Sequence, residues 1–352
     1  MLEEPALSQV LGEFVTSFTG GGPAAIQTLA GDASSRRYHR VAVRGGQPAT
    51  AVVMELPDDP MKSDEGSSAG PPPELPFLNV QRYLAAGGLA VPRIYRHDPR
   101  RGLLALEDLG DQTFEMAVKA ASPVARQGLY RQAMKQIVAL QQLGATRRDP
   151  DCVAFGRRFD RALLRWELEH FREWYLEAEA GLVLTPAEEE VVGAAFEWLA
   201  GVLADSPLVL VHRDFQSRNL MLVGPAAVPE IRIIDFQDAL LGSRAYDLVA
   251  LLRDSYVELP DSEVASHVQW FAEQIGQPAE PFRRLFNLQA LQRKLKDTGR
   301  FIYIDRVRRN PSFLRWIPTS LRYVAAALRE APPQLQDLRT VLAHRLPVLA
   351  SD

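Results

Sequence analysis

Two β-branched runs, LVLV at 208–211 and IRII at 231–234, interrupt a chain whose apolar residues otherwise recur at three- and four-residue spacing from about residue 111 to its end. Few folds accept that order. The runs are too short for helices, and each delivers polar residues directly after it: Asp214 and Asn219 in VHRDFQSRN, Asp235 in IRIIDFQD. Upstream of residue 110 the pattern is the reverse. RRYHRVAV and TAVVMELP are β-branched and aromatic-rich, and RGGQPA between them predicts a hairpin turn. FLNVQRYLAAGG predicts the one helix of this half, and VPRIYRHDPRRGLLALEDLG predicts two more strands. The expectation is an α+β chain of two lobes, a small β-rich lobe over 1–110 and a larger helical lobe over 111–352. Residues 57–76, rich in Pro, Gly, Ser and acids, read as a flexible loop inside the first lobe.

A chain of 352 residues exceeds one ordinary hydrophobic core, which agrees with two lobes. Lys and Arg total 40 against 44 Asp and Glu, so net charge gives no reason to expect nucleic acid or an anionic membrane as partner. Cys152 is the sole cysteine, which excludes an intramolecular disulfide framework and a Cys-rich zinc site. The N-terminus opens on acids where a secretory signal has positive charge, and no run approaches the roughly 20 apolar residues of a membrane span. The reading is a cytoplasmic protein without an evident obligate protein partner.

The interruption carries the chemistry. Two carboxylates and an amide offer hard oxygen donors, which suit Mg²⁺, an ion that keeps few protein ligands beside water and phosphate oxygens. The order His212-x-Asp214-x4-Asn219, then Asp235 from a neighbouring strand, lets one carboxylate face a substrate hydroxyl while the other two side chains face a metal. Phosphoryl transfer needs that kind of site, because the protein mainly positions reactants and neutralises charge. Taken together, the β-rich lobe, HRD, Asn219 and Asp235-Phe236 resemble the protein-kinase-like superfamily, and within it the aminoglycoside phosphotransferase family.

That resemblance implies ATP as cofactor, Asp214 as catalytic base, and Asn219 and Asp235 as Mg²⁺ ligands. It makes His212 a support of the loop, Asp247 a buried structural acid, and Asp238 either a support of the metal site or a solvated side chain. Arg213 and Arg218 read as surface charges or local partners of acids. The stretch GDASSRRYHRV lies where such kinases cover the phosphates, with Gly31 at a tight turn, Ser34 and Ser35 as donors, and Arg36 or Arg37 adding charge. LLALEDLG resembles the hinge segment, implying backbone contacts to adenine around Glu107 and Leu109. One departure is clear: the third strand presents Met54 where protein kinases place a Lys.

Asp235 is followed within about ten residues by the next helix, and Gln237 replaces the Gly of a protein kinase's Asp-Phe-Gly, so a small molecule is favoured as acceptor. Further stretches, among them PFLNVQRYL, FDRALLRWELEHFREWYL, IDFQDALLGSRAYDLVALLRDSY and LQRKLKDTGRF, look like the bacterial anomeric sugar kinases of cell-wall recycling. This implies phosphorylation of the C1 hydroxyl of N-acetylmuramate, N-acetylglucosamine or both. Between Pro281 and Asn310 nine Lys or Arg stand against two Asp, which is either a solvated basic face or the acceptor side of the cleft. Glu169, Arg172 and Asp254 are the candidate substrate contacts. A kinase of another hydroxyl, such as an aminoglycoside, choline or homoserine, and a nucleotide-binding pseudokinase remain the alternatives.

Overall fold

The computed structural model describes residues 4–29, 36–57, 74–225 and 229–350. Helix α1 (Glu4–Thr19) precedes strands β1 (Gly22–Leu29), β2 (Arg37–Arg44) and β3 (Thr50–Glu55). Helix α2 (Pro76–Ala86) then leads to β4 (Ile94–Asp98) and β5 (Leu103–Glu107). The five strands form one antiparallel sheet in the order β1-β2-β3-β5-β4. The expected hairpin is present, with Tyr38 opposite Met54 and Val41 opposite Ala51.

Strand alternation sorts the two faces of this sheet. Val41, Val53, Leu103 and Ala105 pack with Leu11, Phe14 and Val15 of α1. Met54, Leu104 and Leu106 point the other way, into the core that holds Phe77, Val80 and Leu84 of α2. Helix α1 corrects the expectation of a single helix before residue 110. Its Leu11, Phe14, Val15 and Phe18 recur at helical spacing and cover a sheet face that would otherwise be bare. Residues 58–73, most of the expected loop, lie outside the described residues.

The larger part is helical. It contains α3 (Phe114–Ala120), α4 (Pro123–Thr146), α5 (Arg161–His170) and α6 (Pro186–Ala204), and, after a β-type insertion, α7 (Tyr246–Leu252), α8 (Asp261–Gln274), α9 (Ala279–Arg308), α10 (Ile317–Arg329) and α11 (Gln336–Arg345). Helix α5 runs on through Phe171–Glu179 with a wider turn, closed where the Ala180 N–H donates to the Tyr175 carbonyl at 2.9 Å. Helix α6 starts as its sequence signals. The Thr185 hydroxyl accepts from the Glu188 N–H and the Glu188 carboxylate accepts from the Thr185 N–H, a reciprocal cap ahead of Pro186.

The insertion consists of two ribbons, β6 (Leu208–Val211) paired with β9 (Leu240–Ser243), and β7 (Leu220–Val223) paired with β8 (Glu230–Ile233). Asp235 therefore follows a strand bonded to β7, and not a neighbour of the strand before Asp214. The β7–β8 ribbon continues where the Ile234 N–H donates to the Asn219 carbonyl at 3.0 Å, and the two ribbons are linked where the His212 Nε2 donates to the Ile234 carbonyl at 3.0 Å.

Candidate active site

Two non-glycine residues of the insertion adopt left-handed backbone, Arg213 at φ 82° and Asp235 at φ 64°. Such residues are uncommon and need support from their surroundings. For Arg213 the support is Asp247, in the first turn of α7 and fully buried. Its Oδ2 accepts the His212 N–H at 2.7 Å and its Oδ1 the Arg213 N–H at 3.0 Å. Burial pushes the Asp247 carboxyl above its ordinary pKa, with His212 and the two N–H groups opposing. The His212 ring is also buried, which lowers its pKa and keeps it a neutral donor to Ile234. Asp247 and His212 are thus structural, as their positions implied.

Asp214 emerges from this braced turn with its side chain 28% exposed. Its Oδ1 accepts from Arg293 of α9 at 3.1 Å, and the same guanidinium donates to the Arg213 carbonyl at 2.8 Å. Arg293 is fully buried, with its charge also over the Tyr246 ring. No described residue donates to Asp214 Oδ2, so one carboxylate oxygen is held and the other is open. A further buried acid, Glu167 of α5, accepts from Arg213 at 3.3 Å and from Gln292 at 2.8 Å, tying α5, α9 and the turn before Asp214 into one network. Sequence reasoning missed Glu167, Gln292 and Arg293. The available signal was the excess of polar residues in the middle of a long helix.

Asn219 Nδ2 donates to the Asp214 carbonyl at 2.8 Å and to Asp235 Oδ2 at 3.3 Å, which leaves Asn219 Oδ1, beside the Asp235 carboxylate, with no donor among the described residues. Asp235 Oδ1 accepts from Gln237 Nε2 at 2.9 Å and lies 3.7 Å from the Arg36 guanidinium. The Asp235 side chain is 41% exposed. The surrounding protein, then the nearby Asp214 carboxylate, push its pKa up to about 6. A cation would relieve that crowding. Among the described residues no three His, Cys, Asp or Glu side chains form a metal cage. One carboxylate and one amide oxygen, open to the cleft, fit an ion such as Mg²⁺ that takes its remaining ligands from phosphate and water.

The other expected residues fall in different places. Gly31, Ser34 and Ser35 lie outside the described residues. Arg36 reaches Asp235, whereas Arg37 turns to Glu55, which also accepts from His39 at 2.9 Å. Met54 is fully buried. At the hinge, the Glu107 N–H is taken by the Arg93 carbonyl at 2.9 Å and its side chain by the Arg93 N–H at 3.0 Å, while no described group bonds the backbone of Leu109. Glu169 pairs with Arg165 and Arg172, and Arg172 also with Glu177; these contacts run along one helix and do not reach Asp214.

Asp254 is 1% exposed and forms no cleft wall. Its Oδ2 accepts the Ser217 N–H at 2.8 Å and its Oδ1 the Tyr256 N–H at 3.0 Å, so it braces the loop between Asp214 and Asn219 from behind. The basic stretch is a solvated face only in part: Arg284, Arg306 and Arg309 are exposed, whereas Arg293, Lys294 and Lys296 are buried. Lys294 pairs with Asp297 at 2.8 Å, and burial lowers its pKa.

With this geometry the sequence can be compared with known proteins. A family model described as "Phosphotransferase enzyme family" matches residues 25–286. The chain belongs to that family. This phosphotransferase is 32% identical to the N-acetylmuramate/N-acetylglucosamine kinase of Pseudomonas putida, over 92% of this chain and 90% of that one. It is also 32% identical to the protein of the same name from Pseudomonas aeruginosa, over 91% of this chain and 88% of that one. Among solved structures, the streptomycin–ATP complex of APH(2″)-IIa superposes with a TM-score of 0.59 at 15% identity, covering 94% of this phosphotransferase and 97% of that chain. A likeness at that identity speaks for the fold, which is the two-lobe kinase-like fold expected. No helix among the described residues is long and apolar enough to cross a membrane.

Proposed function

We propose that this phosphotransferase is an ATP-dependent sugar kinase that phosphorylates the anomeric C1 hydroxyl of N-acetylmuramate, N-acetylglucosamine or both. The observation that carries the reading is Asp214, one carboxylate oxygen held by Arg293 and the other open to the cleft beside Asn219 and Asp235. The names of the two Pseudomonas relatives support the choice of sugar.

In the proposed reaction the acceptor hydroxyl donates to Asp214 Oδ2, and its oxygen attacks the γ-phosphorus in line with the departing ADP oxygen. Asp214 takes the proton late, when the new bond has acidified it, and a sugar 1-phosphate and ADP leave. Arg293 fixes the angle of the carboxylate. Asn219 Oδ1 and Asp235 would hold Mg²⁺, which when bound neutralises phosphate charge. Arg36, already beside Asp235, supplies the cation that Met54 does not. Adenine would lie against the Leu109 backbone, and Gly31, Ser34 and Ser35 are proposed to contact the phosphates. The lobe boundary near residue 110 then coincides with the nucleotide cleft, and dependence on ATP points to the cytoplasm.

The test is ATP consumption with Mg²⁺ against N-acetylmuramate, N-acetylglucosamine, glucose, kanamycin and choline, with the phosphorylated position read by phosphorus NMR. A C1 phosphate on an N-acetyl sugar supports the reading. Turnover confined to kanamycin or choline overturns the substrate assignment, and no turnover on any overturns the reading as a sugar kinase.

A further inference from the structure

Helix α9 carries a guanidinium, Arg300, that the network around Asp214 leaves over. Arg283, Arg284, Arg293, Lys294, Lys296 and Arg306 each have an acidic partner. Arg300 has none among the described residues. It is half-buried, and its contact is with an aromatic ring, the guanidinium carbon standing 4.8 Å from the centre of Tyr303. A partly desolvated cation without a counter-charge is costly to maintain, and an anion arriving from outside would relieve the cost.

Its position relates it to the reacting centre. Arg300 lies seven residues beyond Arg293, two helical turns on the same face and roughly 10 Å along the axis. Arg293 holds Asp214. Starting from Asp214, the α9 face therefore passes Lys296 and arrives at Arg300.

The wall beside Arg300 is aromatic. Trp174 meets Tyr303 edge-on with ring centres 5.2 Å apart, and Trp166, 41% exposed, packs against His170 at 4.3 Å. Gly299 fixes this wall against α9. A Cβ there would stand 2.1 Å from the His170 carbonyl oxygen, so only glycine lets the two helices approach this closely. Aromatic edges and faces of this kind cover the apolar side of a sugar, and the guanidinium selects what the sugar carries.

We infer that Arg300 recognises a carboxylate on the acceptor sugar, with the Tyr303 and Trp174 rings covering the part of the sugar next to it. The inference rests on the proposed reading that Asp214 faces the anomeric hydroxyl. N-acetylmuramate carries a lactyl ether with a carboxylate, and N-acetylglucosamine carries a hydroxyl in its place. Arg300 is then the residue that distinguishes the two, as a planar fork matched to a carboxylate. The same cation disfavours a polycationic acceptor.

The test is the ratio of kcat/KM for N-acetylmuramate to that for N-acetylglucosamine, measured for the wild type, Arg300→Met and Arg300→Lys. The ratio is internal to each protein, so partial misfolding cancels from it. Arg300→Met is expected to lower the ratio by about 10- to 100-fold, mostly through KM for N-acetylmuramate, the usual effect of losing a charged hydrogen-bonded pair. Arg300→Lys, which keeps the charge and loses the fork, should fall between. An unchanged ratio in Arg300→Met, with wild type active on both sugars, overturns the role of Arg300 and leaves the kinase reading standing. A wild type active on N-acetylglucosamine alone also overturns the role of Arg300. A wild type inactive on both sugars overturns the kinase reading and this inference with it.

Discussion

Arg293→Met is the substitution whose effect the structure specifies most fully. Methionine keeps much of the volume of the side chain and removes its charge and donors. Two hydrogen bonds disappear, at 2.8 Å to the Arg213 carbonyl and 3.1 Å to Asp214 Oδ1. Charged hydrogen bonds contribute about 1.5–3 kcal/mol each, and the relief of desolvating a fully buried guanidinium offsets part of their loss. Breaking a buried ion pair costs about 3–5 kcal/mol in net terms. Asp297, 3.9 Å from Arg293, keeps Lys294 at 2.8 Å, so no second buried charge is stranded.

At roughly 2 °C per kcal/mol, suited to a large domain, the melting midpoint should drop by roughly 6–10 °C. Turnover should fall further than stability explains. Arg293 is the one described side chain that orients the Asp214 carboxylate, and a displacement on the order of 1 Å costs about 100-fold. Thermal unfolding with and without nucleotide, followed by ADP release assayed well below the midpoint, separates the two effects. A variant that melts within about 1 °C of wild type, as an exposed substitution would, and keeps its kcat refutes a role for Arg293 in holding the Asp214 turn.

Asp214→Asn should lower kcat by roughly 10²–10⁴-fold while nucleotide binding, followed by calorimetry, is retained; undiminished turnover would remove Asp214 from the mechanism. Met54→Lys places an ammonium at a fully buried position in the core shared with Phe77 and Leu104, so it should destabilise by several kcal/mol, about as an unpaired buried charge does, without tightening ATP binding. Tighter binding at unchanged stability would show that the site lacks a cation that Arg36 does not supply. Glu188 is held down to about 2 by Arg345 and then the Thr185 N–H. Its folded pKa lies below its ordinary value of 4.5, so its contribution is present above that pH and is lost as pH falls toward 2. The difference in melting midpoint between wild type and Glu188→Gln should accordingly shrink over that window, and a constant difference would deny the ion pair its role.

The parts of the site legible in the sequence are those built by neighbours in the chain. Asp214 and Asn219 share one loop, and the hydrogen bond from Asn219 to the Asp214 carbonyl spans five residues. The β2–β3 hairpin was legible for the same reason, because strand alternation and turn residues act locally. Helix α1 carried its stripe openly, but its need to cover the sheet was not visible until the sheet existed.

Asp254 shows what spacing cannot reveal. A polar residue after a short apolar helix reads as exposed, yet its partner is an N–H 37 residues earlier, and the satisfied carboxylate is buried. Arg293 is the larger case, since it meets Asp214 across 79 residues. Periodicity assigns the long polar residues of a helix to solvent, because an unpaired charge cannot be buried. Whether a charge is paired depends on which other segment packs against it. The sequence by itself determined which residues can bind metal, accept a proton and form strands, since those properties belong to side chains and their near neighbours. Only the tertiary structure decided which of the charges on α9 are buried braces and that Arg300 meets a ring and no counter-charge among the described residues, because that depends on acids brought in by distant elements.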